Sequence, residues 1–136
     1  MTPDWPALRA AAVAIAARAY VPYSRFPVGV AALVLRPSGA TEVLTGCNVE
    51  NASYGLTQCA ECALVSALHT TGGGRLLAVA CVDARGEPLM ACGRCRQLLW
   101  EHGGAACLVA TPLGVLPMSA LLPQAFGPDD LAKVTG

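Results

Sequence analysis

Charge is scarce in this chain of 136 residues: Asp, Glu, Lys and Arg make up 13% of it, about half the usual fraction. Nine cations and nine anions cancel to a formal net charge of zero. Arginine supplies every cation except Lys133, and the eight arginines are scattered along the chain. No basic patch is left to hold a nucleic-acid backbone. Aromatic residues are also few, 5% of the total, with Phe26 and Phe126 the only phenylalanines. Hydrophobic residues reach 54%, yet no unbroken run attains the roughly eighteen residues of a membrane span. The first twenty residues lack a cationic start, because Asp4 stands there and the apolar run Ala10 to Ala17 lies between Arg9 and Arg18. That predicts no targeting segment. Repeats, linkers and low-complexity tracts are missing too, and the length suits one domain, 1–136, built on one core. High apolar content with so little charge predicts surface buried between subunits.

Cysteine, by contrast, is plentiful. The seven cysteines are an odd number, and four of them form two Cys-x-x-Cys pairs with metal-ligand spacing. With no export signal, this predicts a chain of the reducing cytosol. Cys47, Cys81 and Cys107 fall in or near apolar runs and read as buried free thiols.

The periodicity predicts an α/β architecture. Leu8, Ala11, Ala12, Ile15 and Ala19 recur at helical steps, giving a helix over 4–20 capped by Asp4 or Thr2. Val28 to Leu35 and Thr41 to Cys47 flank the turn Arg36-Pro37-Ser38-Gly39 and form a hairpin. The polar stretch 48–56 is a loop, and Thr57 is a candidate cap for a helix to Thr71, stopped by Gly72-Gly73-Gly74. Leu76 to Ala84 is an apolar strand of the kind covered on both faces. A helix over 93–102 follows, then strands over 106–110 and 115–117. The four residues between those two strands are too few for a parallel crossover, so they pair antiparallel. A short helix over 119–126 and a tail over 127–136 complete a three-layer α/β domain around a mixed five-stranded sheet. His69 and His102 fall at helix ends, where the terminal carbonyls are their ordinary partners.

Both Cys-x-x-Cys pairs, Cys59 to Cys62 and Cys92 to Cys95, stand where helices begin. Helix N-termini carry unpaired N–H groups and a partial positive charge, which favours the thiolates that zinc requires. Four thiolates would close a tetrahedron and make a structural site, whereas three would leave a position open for water. Spacing alone leaves both counts open. Glu61, between the cysteines of the first pair, is either a proton carrier beside a metal-bound water or a solvated residue in a helix first turn.

Longer motifs frame those pairs. Cys59-Ala60-Glu61 and Cys92-Gly93-Arg94-Cys95-Arg96-Gln97, preceded by Thr45-Gly46-Cys47-Asn48-Val49-Glu50-Asn51-Ala52-Ser53-Tyr54-Gly55, resemble the small homotetrameric zinc-dependent cytidine deaminases. The resemblance runs from Tyr23-Ser24-Arg25-Phe26-Pro27-Val28-Gly29 to Leu122-Pro123-Gln124-Ala125-Phe126. It implies one Zn2+ per subunit, held by Cys59, Cys92 and Cys95 with water as fourth ligand. It also implies hydroxide attack on C4 of cytidine or 2′-deoxycytidine with Glu61 as proton shuttle, release of ammonia, and a place in pyrimidine salvage. Asn48 and Glu50 match the ribose-binding pair, Phe26 an aromatic near the pyrimidine, and Ala60 a backbone contact to the base. Tyr54 and Phe126 match positions that act across subunit interfaces. The partners implied are a nucleoside substrate and further copies of the chain, with neither nucleic acid nor membrane.

Two positions depart from the family pattern. Cys62 replaces a common arginine that offsets the thiolate charge, and Ala91 replaces a common proline. The helix N-termini, with Arg94 or Arg96, are the expected substitutes for the missing charge. Two other readings are a deaminase of a different cytosine-like nucleoside, such as an aminonucleoside antibiotic, and a non-enzymatic four-cysteine zinc module.

Overall fold

The structure, a computed structural model, describes residues 2–135. Helix α1 (Trp5–Ala16) begins at Asp4, whose carboxylate accepts from the Ala7 N–H as an N-cap. Strands β1 (Gly29–Leu35) and β2 (Thr41–Cys47) form the expected hairpin. Helix α2 (Ala60–Thr70), strand β3 (Arg75–Val82) and helix α3 (Gly93–Gly103) follow. Strands β4 (Leu108–Thr111) and β5 (Gly114–Pro117), then helices α4 (Met118–Leu121) and α5 (Pro128–Thr135), complete the chain. The sheet order is β2-β1-β3-β4-β5. Only β3 and β4 run parallel, joined by the α3 crossover, and β4 and β5 pair antiparallel as their short connection requires.

Strand alternation divides the core in two. Val30, Ala32 and Val34 of β1, with Val79 and Cys81 of β3, pack under α2 and α3 beside Leu64, Leu68, Cys95 and Leu99. Ala31, Ala78, Ala80 and Val82 face the other way and meet Leu8 and Ala12 of α1. That is the three-layer arrangement the periodicity predicts. Gly46 decides how closely α2 can lie on the sheet, because a Cβ there would meet the Ala60 carbonyl oxygen and come within 2.7 Å of the Leu64 N. Its absence lets the start of α2, and with it Cys59, sit directly over β2.

Long-range pairing moves several boundaries. Helix α1 stops at Ala16 rather than residue 20, because Tyr20 bridges to Val49: its N–H donates to the Asn48 carbonyl and its own carbonyl accepts from the Glu50 N–H. Thr57 is not the cap of α2. Gln58 pairs with Val49 in an isolated antiparallel bridge, which keeps the chain extended until Cys59 takes the cap position. A 3₁₀ turn, Tyr54–Leu56, interrupts the loop before it.

Near the C-terminus, the expected helix over 119–126 is only α4. It ends where Pro123 disfavours helical backbone at Leu122 and Gln124 takes a φ of 53°. The expected tail is helical over Pro128–Thr135, with Asp129 and Asp130 in the first turn and Lys133 in the last. Its final residue, Gly136, lies outside the described residues, as does Met1. The two histidines meet each other, His69 Nε2 lying 3.4 Å from His102 Nδ1, so terminal carbonyls are not what places them. Burial and the neighbouring His69 push the His102 pKa below its ordinary value.

The buried cation Arg36 ties the far end of α2 to the sheet. Its guanidinium donates to the Leu68 and Gly73 carbonyls at 3.2 and 2.8 Å and to Thr71 Oγ1 at 2.6 Å, and it pairs with Glu42. A cation at a helix C-terminus complements the carbonyls exposed there. Helix α2 is thus fixed at both ends, by glycine contact at one and by arginine at the other.

Candidate metal centre and active site

Cys59 and Cys92 are the N-cap residues of α2 and α3, and Cys95 lies one turn into α3. Their sulfurs all fall within 4.8 Å of one another. Sulfurs bound tetrahedrally to one zinc at about 2.3 Å stand about 3.8 Å apart, so a small inward movement completes the site. The donor set is soft and anionic, and both helix N-termini point partial positive charge at it. These residues fit a zinc ion.

Cys62 is not among the clustered sulfurs. It lines a cavity on the other side of Cys95, with Cys95 itself, Arg94, Gln97, Leu98, Glu101 and His102. Among the described residues the cluster therefore has three cysteines rather than four, the count that leaves a coordination position open.

The thiols differ in their surroundings. Burial and the nearby Glu61 charge push the Cys95 pKa up. For Cys92, burial works in the same direction, but hydrogen bonds from the Cys95 N–H and from the Cys95 and Cys59 side chains outweigh it and bring the pKa down. Arg94 Nη2 donates to Cys59 Sγ at 3.6 Å, and the Cys59, Cys62 and Cys95 charges hold its proton more firmly. Arg96 turns away and donates to the Ala91 and Leu121 carbonyls at 2.9 and 3.1 Å. Of the two arginines expected to offset the thiolates, only Arg94 faces them. Arg94→Ala should weaken zinc binding about tenfold, the scale of an outer-shell partner, in a chelator competition that leaves Arg96→Ala near wild type.

Glu61, in the first turn of α2, is 4% exposed. It is not a solvated helix residue. With Val28, Asn48, Thr57, Cys59, Ala60, Cys81, Leu89, Met90 and Cys92 it lines a cavity of about 170 Å³. Two of the three cluster cysteines, Cys59 and Cys92, thus line the same cavity as Glu61. Cys95 is fully buried and does not line it.

The remaining predicted residues divide between this cavity and its surroundings. Asn48 is in it, with Oδ1 accepting from the Val28 N–H and Nδ2 donating to the Phe26 carbonyl, both at 2.9 Å. Ala60 is in it through the first turn of α2, whose leading N–H groups have no intrahelical acceptor. Glu50 lines a neighbouring cavity with Tyr23, Ser24 and Tyr54. Its Oε1 accepts from the Tyr23 and Ser24 N–H groups at 3.1 Å, and hydrogen bonds from Ser24 and Tyr23 keep its pKa low. Phe26, Tyr54 and Phe126 do not line the metal cavity; their side chains are exposed, Tyr54 by 77%. Tyr54 packs edge-on to Tyr23, and the Phe126 carbonyl accepts from Gln97 Nε2 on the outer side of α3.

Cys81 is the residue that the spacing gives no reason to single out. It is a buried thiol, as expected, but its Sγ lies 3.5 Å from Glu61 Oε1. The alternation of β3, which sends Cys81 toward α2, is the signal that could have marked it.

Comparison with known proteins agrees with this geometry. Residues 6–111 match the family model "Cytidine and deoxycytidylate deaminase zinc-binding region". The cytidine deaminase of Mycobacterium tuberculosis is 62% identical over 130 residues, covering 96% of this chain and 95% of that protein. The crystal structure of cytidine deaminase from Mycobacterium leprae superposes with a TM-score of 0.85 at 58% identity, over 90% of this chain and 100% of that one. The cytidine deaminase structure from Burkholderia pseudomallei gives 0.76 at 38% identity, over 93% and 100%. With three cysteines gathered at two helix starts, a buried glutamate beside them and likeness along nearly the whole length, the chain belongs to the cytidine deaminase family.

Proposed function

We propose that this protein hydrolyses cytidine and 2′-deoxycytidine to uridine and 2′-deoxyuridine with release of ammonia. The observation that carries the reading is the clustering of Cys59, Cys92 and Cys95 beside a small cavity that Cys59 and Cys92 line together with buried Glu61. When bound by these cysteines, zinc supplies the Lewis acidity that makes water nucleophilic near neutral pH.

The protein's own groups do the rest. Glu61 takes a proton from the attacking water and delivers it to ring N3, then takes the proton left on the new C4 hydroxyl and gives it to the amine, so that the C4–N4 bond breaks and ammonia leaves as the C4 carbonyl forms. Its burial keeps bulk water from competing for that proton. The Ala60 backbone at the start of α2 orients the base, and Asn48 and Glu50 reach the ribose hydroxyls. Asn48 already holds the Phe26–Val28 segment on the cavity rim, which supports Phe26 as the ring that packs beside the pyrimidine.

The site is completed by other copies of the chain, in a homotetramer, with Tyr54 and Phe126 crossing between subunits. Their exposure supports this, as does an apolar cavity of about 730 Å³ beside α1, lined by Trp5, Val13 and Val115. One domain, 1–136, carries every residue that a copy contributes to the sites, and the protein works in the cytoplasm. The free thiols support that compartment, and no helix among the described residues is long and apolar enough to cross a membrane.

Purified protein incubated with cytidine should release one ammonia per uridine formed, and 2′-deoxycytidine should be turned over as well. Absence of ammonia from the zinc-loaded protein would remove this reading.

A further inference from the structure

Glu61 needs more than burial to act as a proton carrier. A carboxylate free to rotate presents either oxygen, and a misplaced donor or acceptor costs rate. Among the described residues, the only side-chain hydrogen bond to Glu61 comes from Cys81, at 3.5 Å, well inside the range for a sulfur donor. Cys81 is 3% exposed. It lies near the end of β3, opposite Val30 in the register with β1, and lines the same cavity as Glu61, Cys59 and Cys92. In that contact the thiol is the donor, because an ionised carboxylate offers only acceptor oxygens.

We propose that Cys81 is a positioning residue for the deamination, its S–H holding Glu61 Oε1 so that Oε2 is the oxygen that accepts and returns the proton. The inference rests on Glu61 being the proton carrier described above. Cys81 is not one of the clustered metal-site sulfurs, so its contribution is made through Glu61. A thiol suits the task because it is a weak donor: it orients the carboxylate without competing strongly for the proton in transit.

The test uses two zinc-loaded variants and one spectrum. Cys81→Val removes the donor and adds one carbon, while Cys81→Ser keeps a donor. Cys81→Val should lower kcat about tenfold with KM within about twofold and zinc content unchanged, and Cys81→Ser should recover most of that loss. In the infrared, the S–H stretch of Cys81 should be shifted to lower frequency in the wild type, absent from Cys81→Val, and relaxed toward the free-thiol position in Glu61→Gln.

Full kcat in Cys81→Val, or a serine variant no better than the valine one, would overturn the proposal. An S–H band that is the same with and without the Glu61 carboxylate would do so as well, and that spectrum decides the matter even if Cys81→Val does not fold. If instead Glu61→Gln kept wild-type turnover, the fault would lie with the proton-carrier reading, since a failure of Cys81 alone leaves Glu61→Gln inactive.

Discussion

Glu61→Gln should lower kcat about ten-thousandfold while leaving the fold and the bound zinc in place. Glutamine keeps the size and polarity of the buried side chain but can neither take up nor release the proton. The effect belongs at the upper end of the range for general acid–base catalysis, because in the proposed mechanism one carboxylate serves both the attack on C4 and the departure of the amine. Substrate binding should change little, so the loss appears in kcat rather than KM. Steady-state kinetics on cytidine, beside zinc content and circular dichroism, check it. A glutamine variant with near-wild-type kcat would mean that Glu61 is only a buried helix residue.

Loss of a zinc ligand should be as severe, by a different route. Cys95 is fully buried in the first turn of α3, and Cys95→Ala leaves two sulfurs where an open catalytic site needs three protein ligands. Zinc affinity should fall by more than the ten- to hundredfold typical of outer-shell changes, and turnover should vanish with the metal. Secondary structure should persist. The two packed faces of the sheet, with Leu64, Leu68 and Leu99 on one side and Leu8 and Ala12 on the other, do not depend on the ion. A four-cysteine structural module would behave otherwise and unfold without zinc. Metal titration followed by circular dichroism distinguishes the two.

Much of the fold can be read from local pattern because its elements have strong local causes. Strand β2 has the predicted bounds, Thr41–Cys47, set by the turn at Pro37-Ser38-Gly39 and by the polar loop after Cys47. Both Cys-x-x-Cys pairs lie at helix starts as predicted, since the extended residues before each helix and the glycines after each are local signals. The differences arise where distant chain intervenes. Val49 pairs with Tyr20 on one side and Gln58 on the other, which shortens α1 and moves the start of α2 from Thr57 to Cys59.

The same limit applies to the site. Spacing places Cys59, Cys62, Cys92 and Cys95 on equal terms, because each pair has one cysteine at a cap and one a turn later. Only the mutual approach of α2 and α3 decides that the Cys95 sulfur joins the cluster and that of Cys62 does not, although both residues line the cavity beside His102. Arg94 and Arg96 are two residues apart and so point in different directions from α3; which one meets Cys59 is likewise a matter of packing. Of the two, it is Arg94 whose guanidinium reaches a cluster sulfur.

Three sulfurs at the metal leave one coordination position for chemistry. X-ray absorption at the zinc edge of the loaded protein counts the ligands directly. Three sulfurs at about 2.3 Å and one lighter oxygen or nitrogen scatterer at about 2.0 Å are expected, unchanged in Cys62→Ser. Four sulfurs in the wild type, falling to three in Cys62→Ser, would contradict the three-sulfur centre.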